Sequence, residues 1–273
     1  TIPTIQNNPN KSTQMSPFLL VLSFLLHYIT FLDATNISMC LNESDWNITF
    51  HDDFNGNQLN TSNWNAVNNQ THGTTEKQLY LSNNVKVANG TLIITTKKQT
   101  AYHTTNNVYN ITSGWVESKH KQFQTYGRFE VRAKLPSTLV GEKGKWPSAW
   151  PAHWLMPENG DKYCWPTGGE IDIMEGYRPT KSQEGSVLMT YHWADQCGKD
   201  LYAGHNDKFP NASNTTIIDW TNEWHTFGVE WTESSIKWYI DGVLKHIRVS
   251  GQPQSLFVPS WDFYMILNTG KMV

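Results

Sequence analysis

Short runs of alternating hydrophobic and polar positions, or of mainly apolar ones, make up most of the chain after Thr35. β-Branched and aromatic residues are frequent in them, and Asn, Gly, Ser and Pro separate them, which is typical of strands joined by turns. The predicted strands are NITFHDDF (47–54), LIITTKK (92–98), GRFEVRAKL (127–135), GEIDIME (169–175), VLMTYHW (187–193), HTFGVEWT (225–232) and SIKWYIDG (235–242). Asp241-Gly242 predicts the tight turn of a hairpin over residues 236–249. With no long helical period and no linker, the pattern predicts an all-β sandwich in one domain, residues 36–273.

One almost wholly apolar run, FLLVLSFLLHYITFL, extends from Phe18 to Leu32. It is shorter than the about 20 residues of a membrane span, and the small residue Ala34 follows it. We therefore predict a secretory signal peptide over residues 15–34. The alternative is a signal anchor that is never cleaved. Residues 1–14 are polar, unpatterned and precede the first Met, so we predict that they are a non-native upstream segment.

Sequons and cysteines favour secretion. Nine N-x-S/T motifs follow Ala34, which is dense for this length and predicts a glycoprotein. They begin at Asn36, Asn42, Asn47, Asn60, Asn69, Asn89, Asn110, Asn211 and Asn214. Cys164 and Cys197 could pair in an oxidising compartment, which would leave Cys40 over. The chain stops at FYMILNTGKMV, inside an apolar strand pattern, so we predict a truncated C-terminus.

Composition adds one informative feature. The 273-residue chain has a formal charge of −3, which gives no sign of the basic patch of a nucleic-acid-binding protein. It contains 13 Trp, 11 Tyr and 11 Phe beside only 16% charged residues. These aromatic side chains either fill a β-rich core or form a platform for flat apolar faces such as sugar rings, and composition leaves both open.

Three carboxylates lie close together in PTGGEIDIMEGY, residues 166–177. Glu170 and Asp172 share one face of a regular strand, but strict alternation turns Glu175 into the apolar layer, where an unpaired charge is costly. One extra residue around Ile173–Met174 restores the phase and returns Glu175 to the open face. We therefore predict a β-bulge at this point.

Three carboxylates on one strand face repel one another, so at least one of them should keep or share a proton near neutral pH. Glycoside hydrolysis needs such a set, because one carboxylate must be ionised beside the anomeric carbon and another must protonate the departing oxygen. The alternative is a solvated acidic strand without a role. The flanking Gly168-Gly169 and Gly176, with Trp150, Trp154 and Trp165 upstream, favour the catalytic interpretation.

The EIDIME stretch resembles the E-x-D-x-x-E signature of glycoside hydrolase family 16, in the bulged form typical of laminarinases (endo-β-1,3-glucanases). The resemblance covers about residues 47–268 and keeps the family's order. It includes FHDDFNGNQLNTSNW, NNVKVANGTLIITTKK, YGRFEVRAKLP, WPAHWLMP, CWPTGGEIDIMEG, EWHTFGVEWTESSIKWYIDG and FYMILN.

The resemblance implies a β-jelly roll of two curved antiparallel sheets, a concanavalin A-like fold with an open cleft for a polysaccharide. It implies that Glu170 is the nucleophile, Glu175 the general acid/base and Asp172 the helper that orients them. The anomeric configuration would be retained through a covalent glycosyl-enzyme, for which the two carboxyl groups must lie about 5–5.5 Å apart.

The resemblance further implies sugar contacts by Trp154 and Trp165, and polar contacts near the cleaved bond by Arg128 and His192. Each has a structural alternative: Trp154 could be core, Trp165 could cover a cystine, Arg128 could be an ordinary strand-face charge, and His192 a structural histidine. We assign Trp150 to the core. Family members often carry a structural calcium near a C-terminal strand that is missing here, so we predict no cofactor and support calcium only weakly.

The sequence thus predicts a secreted, extracellular, monomeric endo-β-1,3-glucanase that could also cleave β-1,3/1,4-glucans, with the polysaccharide as its partner and no nucleic acid or stable membrane association. One alternative is a non-catalytic β-glucan recognition protein, but such proteins typically lack the glutamate pair. Another is a cell-wall transglycosylase, although its xyloglucan-active branch resembles E-x-D-x-E without the extra residue. Agarases and carrageenases share the bulged motif, so the substrate rests on the flanking resemblance to laminarinases.

Overall fold

The computed structural model describes residues 2–7, 46–73, 76–136, 149–176, 187–201, 223–252 and 256–271. The predicted signal peptide and Cys40 lie outside these ranges. Within them, no helix is long and apolar enough to cross a membrane. Two short 3-10 helices occur at Ser82–Asn84 and Gly160–Lys162.

The described residues form strands that follow one another as short, closely spaced segments. In chain order they are β1 (Ile2–Asn7), β2 (Trp46–Asp52), β3 (Asn65–Ala66), β4 (Leu79–Tyr80), β5 (Val85–Ala88), β6 (Thr91–Ile94), β7 (Lys97–Tyr102), β8 (Val108–Ser113), β9 (Trp115–Glu117), β10 (Phe123–Gln124), β11 (Gly127–Ala133), β12 (Ala149–Pro157), β13 (Glu170–Glu175), β14 (Leu188–His192), β15 (His225–Trp231), β16 (Ser235–Ile240), β17 (Val243–Val249) and β18 (Phe263–Lys271). Six of the seven predicted strands are present as single strands, whereas the segment predicted as one strand over residues 92–98 is divided between β6 and β7, which belong to different sheets.

Two antiparallel sheets form the body of a β-jelly roll, which confirms the predicted fold class. The first sheet has the order β17-β16-β15-β11-β1-β2. The second has the order β14-β13-β12-β18-β9-β3, and β10 also pairs with β18. Two smaller sheets, β4-β8-β7 and β5-β6, accompany them. The carboxylate strand β13 therefore lies inside the second sheet, between β14 and β12.

The core lies between the two large sheets. Alternate residues of each strand face it, as the period of two requires. The first sheet contributes Phe129 and Trp231, and the second contributes Leu155, Ile171 and Met265, all fully or almost fully buried. This packing fixes the opposite face of the second sheet as the open one.

The predicted hairpin is confirmed. β16 and β17 pair with Ile240 opposite Val243, so two residues form the turn. Asp241 and Gly242 have φ values of 50° and 74°, the left-handed conformation that a type I′ turn requires at both positions.

Residues 2–7 form a strand that the sequence pattern does not predict. β1 lies between β2 and β11 and pairs antiparallel with both, with Thr4 opposite Phe50 on one side and Phe129 on the other. Backbone hydrogen bonds join a strand to its neighbours whatever its side chains are, so a polar, unpatterned segment can complete a sheet. The strand over residues 2–7 is thus a feature that the sequence pattern missed.

A buried histidine lies on the core side of the second sheet. His153 is 1% exposed and stands beside Met174 and Leu267 on the neighbouring strands. Burial lowers the pKa of His153 to about 4, and an interaction with the backbone of Ile266 opposes this only in part. The folded protein thus holds this imidazole neutral.

We expect acid to destabilise the protein through His153. The unfolded chain takes up this proton near pH 6.5, whereas the folded chain takes it up only near pH 4. The free energy of unfolding should therefore fall by roughly 3 kcal/mol across this window from this group alone. Urea unfolding of the wild type and of His153→Leu at several pH values measures the effect. If both proteins lose stability equally on acidification, the assignment is wrong.

Candidate active site

The carboxylate strand carries the predicted β-bulge. Opposite β14, Glu170 pairs with His192 and Asp172 with Thr190, but Glu175 pairs with Leu188, so three steps on β13 match two on β14. The extra residue lies at Ile173–Met174, and both of these side chains are buried in the core. The bulge prediction is confirmed, and its physical reason is the one expected: two consecutive apolar residues enter the core so that the next carboxylate does not.

A side chain from the first sheet supports the bulge. The indole Nε1 of Trp238, fully buried on β16, donates a hydrogen bond to the backbone oxygen of Asp172 at 2.8 Å. Register shifts interrupt the backbone ladder at this point on both sides of β13. The tryptophan therefore satisfies a carbonyl at the bulge and ties the two sheets together directly beneath the carboxylates.

Glu170 is held by an exposed tryptophan. The Nε1 of Trp165 donates a hydrogen bond to Glu170 Oε2 at 2.6 Å, and the indole remains 46% exposed. The adjoining Cys164 forms a disulfide with Cys197, which confirms that pairing. Trp165 thus places a large open ring beside a carboxylate, rather than serving only as a cover for the cystine.

Glu175 is held by a tryptophan that we assigned to the core. The Nε1 of Trp150 donates a hydrogen bond to Glu175 Oε1 at 2.9 Å, and the indole is only partly buried. This corrects the assignment of Trp150. Alternation along β12 puts Trp150, Ala152 and Trp154 on one face, and that pattern could have placed Trp150 beside the carboxylates from the sequence.

Asp172 is backed by a histidine between two aspartates. His192 Nε2 lies 3.2 Å from Asp172 Oδ2, and His192 Nδ1 lies 2.8 Å from Asp200 Oδ2. Burial lowers the pKa of His192, but the hydrogen bonds and charges of these aspartates outweigh it and raise the pKa to about 12. The imidazolium therefore offsets the charge of Asp172, which is only 1% exposed.

Burial raises the pKa of both glutamates. Burial and then the charge of Asp172 raise the pKa of Glu170 to about 8, while His192 and the Trp165 hydrogen bond lower it. Burial and then Asp172 also raise the pKa of Glu175 well above its usual range. Glu170 and Glu175 therefore hold a proton more readily than ordinary carboxyl groups, chiefly because they are buried and in part because of the repulsion expected from the sequence.

Trp154 lies on the open face of the second sheet, opposite Asp172, but it is only 6% exposed. It packs edge-on against Trp115 with ring centroids 5.4 Å apart, and the ring of His72 lies 5.7 Å away. Its Nε1 donates to Asn268 Oδ1 at 2.9 Å. Trp154 is thus part of the floor of this face, and its contact with a sugar stays a prediction for which little ring surface is open.

Beside this floor lies a polar group that the sequence did not suggest. Tyr80 donates a hydrogen bond from its hydroxyl to Glu76 Oε2 at 2.7 Å, and His72 Nδ1 lies 2.9 Å from Glu76 Oε1. Glu76 also lies close to Gly270, the residue opposite Trp150. His72 and Glu76 lie outside the strands, and Tyr80 lies in the two-residue strand β4, so no strand periodicity in the sequence pointed to them.

Arg128 does not join the carboxylates. It lies on β11 in the first sheet, where Phe129 faces the core and alternation turns Arg128 to the opposite side. There Arg128 Nε donates to Glu130 Oε1 at 2.8 Å, and the guanidinium lies over the ring of Tyr239 at 5.4 Å. We therefore correct the prediction that Arg128 contacts substrate near the cleaved bond: its strand-face alternative holds.

One group of described side chains has the composition of a metal site. Atoms of Glu170, Asp172 and His192 lie within 4.8 Å of one another. Both ring nitrogens of His192 face carboxylate oxygens, however, and a histidine must be neutral to bind a metal through a ring nitrogen. The arrangement fits an imidazolium better than a metal ligand, and the weakly supported calcium stays a prediction.

The geometry suits acid-assisted displacement at a polysaccharide. Two glutamates on one open face differ in their partners, and a third carboxylate between them is charge-balanced by His192. Of the predicted site residues, Glu170, Asp172, Glu175, Trp165 and His192 come together. An ionised carboxylate beside a protonated one is the pair that glycosidic bond cleavage needs.

Comparison with known proteins identifies relatives along most of the chain. The family model for the GH16 domain of beta-porphyranases A–D matches residues 46–272. The glucan endo-1,3-beta-glucosidase A1 of Niallia circulans is 32% identical over 244 residues, which cover 81% of this chain and 33% of that protein. The glucan endo-1,3-beta-glucosidase of Cryptopygus antarcticus is 34% identical over 208 residues, which cover 74% of this chain and 68% of that protein.

A solved structure shares the fold. The endo-beta-1,3-glucanase from Pyrococcus furiosus superposes with a TM-score of 0.66 at 27% sequence identity, covering 81% of this chain and 82% of that one. The chain therefore spans most of this solved structure but only a third of the Niallia circulans protein.

Proposed function

The chain belongs to glycoside hydrolase family 16, and we propose that it is a secreted endo-acting β-glucanase that hydrolyses β-1,3-glucans with retention of configuration. The observation that carries the proposal is the bulged strand β13, which turns Glu170, Asp172 and Glu175 to the open face of the second sheet. The endo-1,3-β-glucanase relatives support the substrate class. Their mixed-linkage counterpart in Rhizobium meliloti, an endo-1,3-1,4-beta-glycanase, supports β-1,3/1,4-glucans as a second substrate.

In the first step, Glu170 attacks the anomeric carbon and Glu175 protonates the departing glycosidic oxygen. The bond between the anomeric carbon and that oxygen breaks, and an ester to Glu170 forms. Burial, and then the neighbouring charge of Asp172, favour the protonated form of Glu175. The hydrogen bond from Trp165 favours the ionised form of Glu170 that must attack.

In the second step, Glu175 is ionised and takes a proton from a water molecule, which attacks the anomeric carbon from the opposite side and releases Glu170. Two inversions give net retention. The partly exposed indole of Trp165, beside Glu170, supports the proposal that a sugar ring stacks on it. His192 acts beneath this surface through Asp172, and we assign it orientation as well as the predicted polar contact.

Replacing Trp165 by phenylalanine is expected to lower kcat/KM about tenfold, because it removes a hydrogen bond to a charged group. That bond lowers the pKa of Glu170, so without it the pKa rises and the acid limb of the pH profile moves to higher pH. The measurement is kcat/KM on laminarin across pH. Trp224→Phe is the matched control, since Trp224 is 40% exposed beside Arg132 in the first sheet. An acid limb that stays in place would contradict this assignment.

Secretion is part of the proposal. The apolar run of residues 18–32 and the dense sequons support it, as does the Cys164–Cys197 disulfide. We propose the polysaccharide as the partner, and a monomer acting without nucleic acid or stable membrane association. Cleavage of the signal peptide near Ala34 also stays a proposal.

The test is release of reducing ends by the purified protein from laminarin, lichenan, xyloglucan, agarose and porphyran. We expect laminarin to be cleaved, with a product anomer ratio by NMR that shows retention. Activity only on agarose or porphyran would replace the glucan by a galactan, which the matching family model makes a specific alternative. Tight laminarin binding without cleavage would identify the glucan recognition protein, and transfer to sugar in place of water the transglycosylase.

A further inference from the structure

We infer that Asp200 is a positioning residue for this reaction: it fixes the ring of His192 and, through that ring, the buried carboxylate of Asp172. The inference rests on the proposed function. Asp200 lies eight residues after His192, outside the strands, and no motif in the sequence marked it. Its role follows from the contacts around His192.

The ring of His192 bridges two carboxylates. Nδ1 lies 2.8 Å from Asp200 Oδ2, and Nε2 lies 3.2 Å from Asp172 Oδ2. A neutral imidazole has one N–H, so one nitrogen would turn a lone pair toward a carboxylate oxygen. A protonated ring avoids this: it carries a positive charge, donates its Nδ1 hydrogen bond to Asp200 and forms an ion pair with Asp172. Asp200 thereby fixes both the orientation and the charge of the ring.

Asp200 is itself anchored on both sides. Gly198 N donates to the backbone oxygen of Trp165 at 3.0 Å, and Leu201 N donates to the backbone oxygen of Trp193 at 3.0 Å. The Cys164–Cys197 disulfide joins the same two segments. The segment that holds Glu170 through Trp165 and the segment that holds Asp172 through His192 are therefore locked together.

The positive charge of His192 offsets the negative charges of the carboxylates that surround it. In the described part of the chain it faces Glu170 and Asp172 on β13, with Glu175 at longer range, and Asp200 from the segment after β14. Without Asp200 the imidazolium loses one counter-charge and releases its Nε2 proton at lower pH. Asp172 would then lose its cationic partner, and the two glutamates would lose a nearby positive charge.

The experiment compares Asp200→Asn with Asp195→Asn, which makes the same charge change at an exposed position of the same segment. We expect Asp200→Asn to lower kcat on laminarin roughly 10- to 100-fold. The alkaline limb of its pH profile should move to lower pH, because His192 then loses its proton at lower pH. Asp200→Glu should recover part of the activity, because it restores a carboxylate. The pKa of His192, followed by NMR in the wild type, Asp200→Asn and Asp195→Asn, should fall only in Asp200→Asn.

Each outcome decides between alternatives. A kcat and an alkaline limb in Asp200→Asn that match those of Asp195→Asn would overturn the inference. The inference would also fail if Asp200→Asn lost activity only in proportion to its loss of folded protein, while the pKa of His192 stayed unchanged. If the wild type does not cleave laminarin, the proposed function fails, and the NMR titration still decides whether Asp200 controls the charge of His192.

Discussion

Glu170→Ala is expected to abolish hydrolysis of laminarin, with kcat reduced at least about 1,000-fold, because the variant lacks the carboxylate that forms the glycosyl-enzyme. Glu170→Gln should behave alike, since an amide of nearly the same shape is not a nucleophile. In Glu170→Ala, added azide can occupy the space left by the side chain and attack the anomeric carbon of an activated aryl β-glucoside in a single displacement. The product should be the α-glycosyl azide, because only one inversion takes place.

The matched control for Glu170 is Glu233→Gln, which removes a carboxylate from an exposed turn of the first sheet. It should keep the wild-type kcat. Arg128→Met provides a second comparison. The Arg128 guanidinium is buried against Glu130 and Tyr239, so its loss should lower stability and leave the kcat of the folded fraction unchanged. Full activity in Glu170→Ala would overturn the assignment of the nucleophile even if the protein hydrolyses glucans.

Glu175→Ala is expected to lower kcat on laminarin about 100- to 10,000-fold, the range by which general acid–base catalysis accelerates such steps. The loss should depend on the leaving group. A dinitrophenyl β-glycoside needs no protonation, so its first step should stay fast and the glycosyl-enzyme should accumulate as a burst. Azide should restore turnover and give the β-glycosyl azide, because Glu170 still performs the first inversion.

The opposite anomers of the two azide products distinguish the two glutamates without reference to any relative. If Glu175→Ala loses activity equally on laminarin and on the dinitrophenyl glycoside, Glu175 is not the proton donor.

Trp150→Phe should lower kcat on laminarin in the same way as Glu175→Ala, but by a smaller factor. This variant removes the Trp150 donor to Glu175 at 2.9 Å but keeps the carboxylate, and a donor that lowers the pKa of Glu175 is thereby lost.

The bulge at Ile173–Met174 shows how far pattern alone can lead. An apolar pair that breaks the alternation of EIDIME leaves only one inexpensive solution, in which both side chains enter the core and Glu175 returns to the open face. The structure has this register. The hairpin at Asp241-Gly242 was equally local, because two residues with positive φ determine the turn.

Arg128 and Trp154 show what strand alternation cannot predict. Alternation along β11 separates Arg128 from Phe129, but it does not say which sheet β11 joins or which face borders the cleft. Trp154 lies on the carboxylate face, yet its exposure depends on Trp115 and His72, which lie far from it in the sequence.

By itself, therefore, the sequence determined what spacing encodes: most of the long strands, the bulge and the three carboxylates on one face, while it left the pairing of Cys164 with Cys197 as a possibility. Only the tertiary structure decided which distant groups meet them, including the Trp150 donor at Glu175 and the Asp200 carboxylate at His192. The physical reason is range. A period of two follows from steric rules within a few residues, whereas a side-chain partner depends on how whole sheets pack and on segments that no period describes.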